Sequence, residues 1–218
     1  SLSAVTWLVH ARTAGFPLAH HNVFFHDDYA SEFADIFGRG RLPRKGTVYV
    51  CAPDRSGGTI APGAPERLSL LVNAPASGDR DARDPAHLDE MEIDACERTS
   101  FALLARCGLT LERRPDAAVR TTPREFERLF PATGGALYGP ATHGWMSSFR
   151  RAASTSALPG LYLAGGSVHP GPGVPMAAMS GRLAAATLLA HLASTSRSRR
   201  VVISGGMSTR SATTAGTA

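Results

Sequence analysis

The sequence predicts an α+β fold, in which a mainly antiparallel sheet with helices precedes a strand–loop–helix unit. Four short segments rich in Val, Trp, Phe and Leu are typical of strands, and clusters of Pro, Gly and Asp separate the last two of them. No helical pattern of adequate length lies between those two, which favours antiparallel pairing, because parallel neighbours need a long crossover. The four segments are residues 5–9, 22–25, 47–51 and 68–72.

Three helices and a further strand are expected among these segments. Residues 29–37 should form a short helix, residues 85–107 form the clearest amphipathic pattern, and residues 109–113 suggest a strand. Thr122-Pro-Arg-Glu125 is a capping box, so a helix should run from there to about residue 130. The apolar face of the 85–107 helix is predicted to carry Leu88, Met91, Ala95, Thr99 and Leu103.

A strand, a glycine loop and a helix are predicted near the C-terminus. Residues 161–164 suggest a short buried strand, after which Gly165 and Gly166 allow the backbone to turn and approach a ligand closely. Pro175 lies where a helix over residues 176–192 should begin. The N-terminus of a helix has unpaired N–H groups and partial positive charge, so the unit suits an anion or an electron-rich ring. A helix packed tightly on a sheet without any ligand would use the same glycines.

Composition excludes several classes of function. The 218 residues are 43% hydrophobic and 19% charged, which is typical of a soluble globular protein. Four arginines in the last 24 residues, which contain no acid, account for most of the net charge of +5, so no nucleic-acid partner is expected. The longest apolar stretch, residues 183–193, is too short to span a membrane. Three scattered cysteines are expected to be reduced core residues, namely Cys51, Cys96 and Cys107.

Residues 160–182 resemble the C-terminal FAD-binding motif of the phytoene desaturase family of carotenoid desaturases. The matching segment reads Gly-Leu-Tyr, then Gly, then His-Pro-Gly-x-Gly-Val-Pro. Motifs upstream resemble one branch of that family, the hydroxyneurosporene (methoxyneurosporene) desaturases of purple photosynthetic bacteria, and the resemblance extends over residues 1–192. These motifs are Ser1-Leu-Ser-Ala-Val-Thr-Trp, His21-Asn-Val-Phe-Phe25, Asp28-Tyr29, Glu32-Phe33, Thr47-Val-Tyr-Val-Cys-Ala52, Asp54-Arg55 and Gly134-Gly-Ala-Leu-Tyr-Gly139.

The resemblance implies a site for FAD. Gly165, Gly166 and Ser167 would line its pyrophosphate and ribityl part. The flavin ring would lie against Gly173, Val174, Pro175 and Met176. Many related flavoproteins carry an acid after the first glycine of this loop, where this chain has Gly166, so a backbone N–H or Ser167 would make that contact instead.

The Gly-x-Gly-x-x-Gly motif that opens such FAD domains does not occur in this sequence. The chain begins with Ser rather than Met, and we expect it to be the C-terminal portion of a longer protein that binds FAD poorly by itself. Residues 1–150 would then be part of a substrate-binding domain, and residues 151–193 the closing strand–loop–helix of a Rossmann-like FAD domain. Residues 194–218 are expected to form a disordered basic tail.

His169 and a polar cluster near residue 20 could carry other chemistry. His169 lies inside the loop and is a weak acid–base candidate, although a loop histidine bonded to the backbone would look the same, and no catalytic base is assigned. His20, His21, His26, Asp27 and Asp28 have possible metal-ligand spacing, but no recognised metal motif accompanies them. We therefore expect turn and strand-edge residues there, and no metal.

The function implied by the resemblance is FAD-dependent desaturation of an acyclic hydroxylated carotenoid such as 1-hydroxyneurosporene. A phytoene desaturase, a carotenoid isomerase of the same fold and a non-catalytic truncated remnant are the alternatives. The partner would be a long apolar carotenoid collected at a membrane surface, which implies a cytoplasmic enzyme with peripheral membrane contact. Its apolar tunnel could be lined by Trp7, Phe24, Phe25, Tyr49 and Leu70, although core packing would explain these residues equally well.

Overall fold

The computed structural model describes residues 1–57, 60–61, 63–141 and 151–214, with the side chains of residues 115, 116 and 196–214 left aside. The chain divides into two compact units, Ser1–Leu137 and Tyr138–Ala218. The domain boundary expected at residue 150 lies outside the described residues.

A five-stranded antiparallel sheet forms the centre of the first unit, in the order β2-β3-β4-β1-β5. The expected strands are confirmed, and three of them are longer than the sequence pattern indicated. Their bounds are β1 (Leu2–Ala14), β2 (His21–Phe24), β3 (Val48–Cys51), β4 (Glu66–Pro75) and β5 (Thr110–Thr121).

Strand β5 continues to Thr121, although the pattern predicted an end at residue 113. Charged residues and a proline such as Pro115 are uncommon within strands. The pairing of β1 with β5 shifts register between Val9 and Ala11, and this irregularity accommodates residues 114–117 of β5. Because β5 is an edge strand of the sheet, it tolerates a proline there.

The core lies between one face of the sheet and helix α2 (Glu90–Arg106). Trp7, Leu70 and Leu104 are among its fully buried side chains. The Trp7 ring meets Phe101 edge to face at 6.0 Å, and its Nε1–H donates to Glu97 Oε2 at 2.9 Å. The burial of the indole therefore leaves no unpaired donor.

Helix α2 corrects two expectations. It begins after Asp89 rather than at Pro85, because Asp89 accepts from the Glu92 N–H at 2.8 Å and forms a capping box. The expected apolar face was wrong in part: Leu103 is buried and Leu88 packs against the core as expected, but Met91 is 78% exposed. The face that packs on the sheet carries Ile93, Cys96, Ser100, Leu103 and Leu104.

Two shorter helices complete the first unit. The helix expected over residues 29–37 is α1 (Tyr29–Phe33), followed by one π-helical turn, Ala34–Gly38. Asp35 in that turn is buried and accepts from Arg39 and Arg41, both at 2.7 Å, which compensates its loss of water. Helix α3 (Pro123–Leu129) begins at the predicted capping box of Thr122 and Glu125.

In the second unit, the strand expected at residues 161–164 is reduced to one bridge between Tyr162 and Thr155 in the described part of the chain. The predicted helix is present within α4 (Val174–Thr214). Its backbone stays helical where the sequence predicted a disordered tail from residue 194, and residues 215–218 lie outside the described part. No proline follows Pro175 to end the helix, and helix extension is cooperative.

Helix α4 also corrects the expectation about membrane spans. Its segment Val174–Thr195 is long and apolar enough, by length and composition, to cross a membrane. The mean hydropathy of this segment is 1.2, and 11% of its apolar window is buried within the structure. The expected apolar stretch, residues 183–193, was too short because the apolar pattern continues back through residues 174–181, with only Arg182 between the two parts. One such helix is weak evidence for a membrane span, since core helices of soluble proteins pass the same test.

Candidate functional site

The loop before α4 is held in shape by hydrogen bonds to its backbone. The Gly165 N–H donates to the buried hydroxyl of Ser180 at 3.2 Å, and the Gly166 carbonyl accepts from Arg151 at 3.0 Å. Gly165 has φ +121°, a conformation that side chains with a Cβ rarely adopt. A Cβ on Gly166 would lie 3.6 Å from the Pro172 Cα, so the two limbs of the loop lie close together.

Gly173 immediately precedes helix α4 and occupies its N-cap position. The Gly173 carbonyl accepts from the Ala177 N–H at 2.8 Å, which is the first hydrogen bond of the helix. The N–H groups of Val174 and Met176 therefore precede the intrahelical ladder, and Pro175 has no N–H to satisfy. Val174 is 85% exposed, and no atom would come within 4 Å of a Cβ on Gly173. The start of the helix is therefore open and rich in donors.

The loop thus carries all seven residues expected to bind FAD within one short segment. Gly165, Gly166 and Ser167 lie at its start, and residues 173–176 lie at its end. The glycines, the exposed Ser167 and the open helix start fit a group with phosphates and an electron-rich ring. No acidic residue stands beside the first glycine, so backbone N–H groups and Ser167 are the donors that the loop offers.

His169, the weak acid–base candidate, has an exposed side chain. Its backbone N–H donates to the Ala152 carbonyl at 2.8 Å and so fastens the loop. That bond gives this position a structural task that does not depend on the imidazole.

The residues expected to line an apolar tunnel fall into two groups. Trp7, Phe24 and Leu70 are 1%, 4% and 0% exposed and belong to the core, so for them the tunnel role is wrong. Tyr49 is half-buried on the opposite side of the sheet, and Phe25, just after β2, is 60% exposed.

That opposite side of the sheet is unexpectedly apolar. Strand register places five large apolar or aromatic side chains on it, beside polar ones such as Thr6 and Ser69, and we call these five the open face: Leu8, Val23, Tyr49, Leu71 and Val119. Leu8, Val23 and Val119 are 51%, 49% and 61% exposed. Sequence reasoning missed them, although the unbroken apolar runs around Leu8 and Leu71 were a signal, because a strand with one wet face should alternate.

The structure separates the cluster around His20. Asp28 caps α1 by accepting from the Ser31 N–H at 3.2 Å, and Asp27 pairs with Lys45 at 3.3 Å, as expected of turn residues. His20 and His21 instead lie ring to ring, with 4.1 Å between centroids.

The three cysteines do not share one environment. Cys96 is buried, and burial raises the pKa of its thiol to about 11, so it is a protonated core residue as expected. Cys107 is exposed and Cys51 is half-buried, which corrects the expectation for both.

Comparison with known proteins places the chain among carotenoid enzymes, although no family model matches it. It is 72% identical over all 218 residues to a hydroxyneurosporene desaturase of Rubrivivax gelatinosus, of which it covers 41%. The hydroxyneurosporene desaturase of Cereibacter sphaeroides is 46% identical over 90% of the chain, which covers 38% of that protein. That of Rhodobacter capsulatus is 43% identical over 87% of the chain, with 36% covered. The chain thus spans about two fifths of the length of these curated relatives.

Proposed function

Since this chain belongs to the carotenoid desaturase family, we propose that the protein it represents carries out FAD-dependent desaturation of an acyclic hydroxylated carotenoid such as 1-hydroxyneurosporene. The observation that carries the proposal is 72% identity along the entire chain to a relative that bears the name hydroxyneurosporene desaturase. The aligned region includes the glycine loop, the start of α4 and the strands of the open face.

The loop and the start of α4 are the part of the FAD site that this chain supplies, in the context of a two-domain flavoprotein. Gly165, Gly166 and Ser167 line the pyrophosphate and ribityl groups. The Gly166 and Ser167 N–H groups and the Ser167 hydroxyl are the donors, because the Gly165 N–H is bonded to Ser180. The positive end of α4, from Gly173 to Met176, would lie against the flavin ring and stabilise negative charge there. FAD bound at this site would supply the hydride acceptor for the desaturation, in which one carbon loses hydride, its neighbour releases a proton to solvent and a C=C bond forms.

The open face is the surface that suits the substrate. A carotenoid is a long apolar polyene, and the open face exposes the apolar side chains of Leu8, Val23 and Val119. Each Å² of apolar surface removed from water is worth roughly 25 cal/mol, so contact with these side chains contributes to the binding free energy. The protein acts in the cytoplasm and contacts the membrane peripherally, because apolar substrates of this kind dissolve in the membrane.

The FAD site is tested in the complete gene product by Gly173→Asp, with Gly63→Asp, outside the loop motif, as the matched control. Both glycines have positive φ, +110° and +75°, and open space around the Cβ position, so the backbone strain is similar. The first variant puts a carboxylate at the start of α4 and should purify without flavin absorbance, whereas the control should remain yellow. Normal flavin absorbance in Gly173→Asp refutes the assignment.

The reaction is tested by supplying the complete gene product with a panel of acyclic carotenoids and separating the products. We expect a new double bond in 1-hydroxyneurosporene and little change in phytoene. Isomerised but unoxidised products would indicate an isomerase. The remnant alternative is tested by reading the coding DNA before Ser1. An in-frame sequence for a strand, Gly-x-Gly-x-x-Gly and a helix supports the enzyme. A start codon directly before Ser1 supports the remnant.

A further inference from the structure

Three side chains that can bind a metal meet at one end of the sheet. One ligand atom each from His20, His21 and Cys51 lies within 4.8 Å of the other two. In a tetrahedral zinc site, bond lengths of about 2.0–2.3 Å place neighbouring ligand atoms about 3.3–3.8 Å apart. Shifts of about 1 Å, within reach of side-chain rotation, would bring the three atoms to that geometry.

Strand register explains why these residues meet. His21, the first residue of β2, stands directly opposite Cys51, the last residue of β3, so their side chains share one face of the sheet. Side chains of consecutive strand residues point to opposite faces of a sheet. His20 lies before the first residue of β2, so this rule does not apply to it and its ring can lie on the same face as that of His21. The His20 carbonyl accepts from the Ala52 N–H at 2.8 Å, which extends the strand pairing and keeps the ring beside His21.

The surroundings hold these ligands in place. Asn22, which is 9% exposed, bonds the Ala19 N–H at 2.8 Å and the Ala19 carbonyl at 2.7 Å, and so fixes the chain just before His20. The Tyr49 hydroxyl lies 2.7 Å from His21 Nδ1. A second hydrogen bond of this kind commonly orients a metal-binding imidazole, and it leaves Nε2 of His21 for the metal.

We propose that His20, His21 and Cys51 bind a divalent ion of the zinc class and thereby clip the short edge strand β2 to β3. Two imidazoles and a thiolate are ligands that zinc prefers, whereas magnesium and calcium prefer oxygen ligands. Cys51 releases its thiol proton to solvent when the metal binds. The half-buried position of His20 and Cys51 leaves a fourth coordination position for water. Sequence spacing predicted no metal here because it did not connect Cys51 with the histidines.

The experiment is a titration of the purified, untagged full chain with Co²⁺, which reports a bound thiolate by a charge-transfer band in the near ultraviolet. We expect one Co²⁺ per chain, displaced by Zn²⁺, and a thermal midpoint that rises with metal concentration. His21→Ala and His20→Ala should abolish the band, and Tyr49→Phe should weaken Co²⁺ affinity by about 10-fold.

Two matched controls separate this site from other thiols and imidazoles. Cys107→Ser removes an exposed thiol and His26→Ala removes a histidine from the next turn, and both variants should keep the band unchanged. Cys51→Ser should lose it while circular dichroism stays that of the wild type. Absence of the band in the wild-type chain, its survival in His21→Ala, or its loss in Cys107→Ser would each overturn the proposal.

Discussion

Replacing Arg55 by alanine leaves a buried carboxylate without its cationic partner. Arg55 donates to both oxygens of Glu66, from Nε at 2.8 Å and from Nη2 at 2.7 Å. It also bonds the Leu18 carbonyl at 2.9 Å and the Thr13 hydroxyl at 3.1 Å. The Glu66 side chain is 1% exposed and that of Arg55 is 27% exposed. The guanidinium thus joins β4 to β1 and to the loop before β2.

The free energy of unfolding should fall by about 3 kcal/mol in Arg55→Ala, because removing one partner of a buried pair costs about 3–5 kcal/mol. The lower end applies because Arg55 is partly exposed, and because Thr13 still donates to Glu66 at 2.5 Å. With a slope of about 2 kcal/mol per molar urea, the unfolding midpoint should move down by about 1.5 M. Circular dichroism of the full chain in urea measures it.

Two observations discriminate this reasoning from a general effect of losing an arginine. Arg67→Ala removes a guanidinium that is 73% exposed and pairs with Asp54, and solvent screens such a pair, so the variant should lose much less stability than Arg55→Ala. Arg55 lowers the pKa of Glu66, so the pair stabilises the fold above about pH 4.5 and loses that effect as the pH falls through the lowered pKa. The deficit of Arg55→Ala should therefore shrink in acid. Equal losses in both variants, or a deficit independent of pH, would refute the assignment.

Three further predictions follow from the first unit. Leu104→Ala should cost about 2–5 kcal/mol in a urea titration, because Leu104 is fully buried, whereas Met91→Ala on the exposed face of α2 should change stability by less than about 0.5 kcal/mol. Asp89→Ala should cost about 1 kcal/mol in the same assay, because it removes the N-cap of α2, and an unchanged midpoint would contradict the cap. Hydrogen bonds from Arg67 lower the pKa of Asp54 to about 2, so its contribution to stability should persist below pH 3.8 and fade towards pH 2 in acid titrations; Arg67→Ala should lose that feature.

Local signals in the sequence determined several parts of this protein. The capping box at Thr122, the helix after Pro175 and the positions of the first four strands follow from hydrogen-bonding and backbone preferences that act within a few residues. The family resemblance, carried by the loop before α4 and by the upstream motifs, is confirmed by the relatives. The roles of the loop residues remain predictions.

Contacts between distant segments were decided by the tertiary structure. The sequence could not show that α2 turns Met91 outwards, because rotation about a helix axis is set by the surface on which it packs. Nor could it show that Cys51 stands opposite His21, since strand register depends on the whole sheet. The pairing of Arg55 with Glu66, the open face and the His20–His21–Cys51 cluster all have that origin: each joins strands whose order and register no short stretch of sequence specifies.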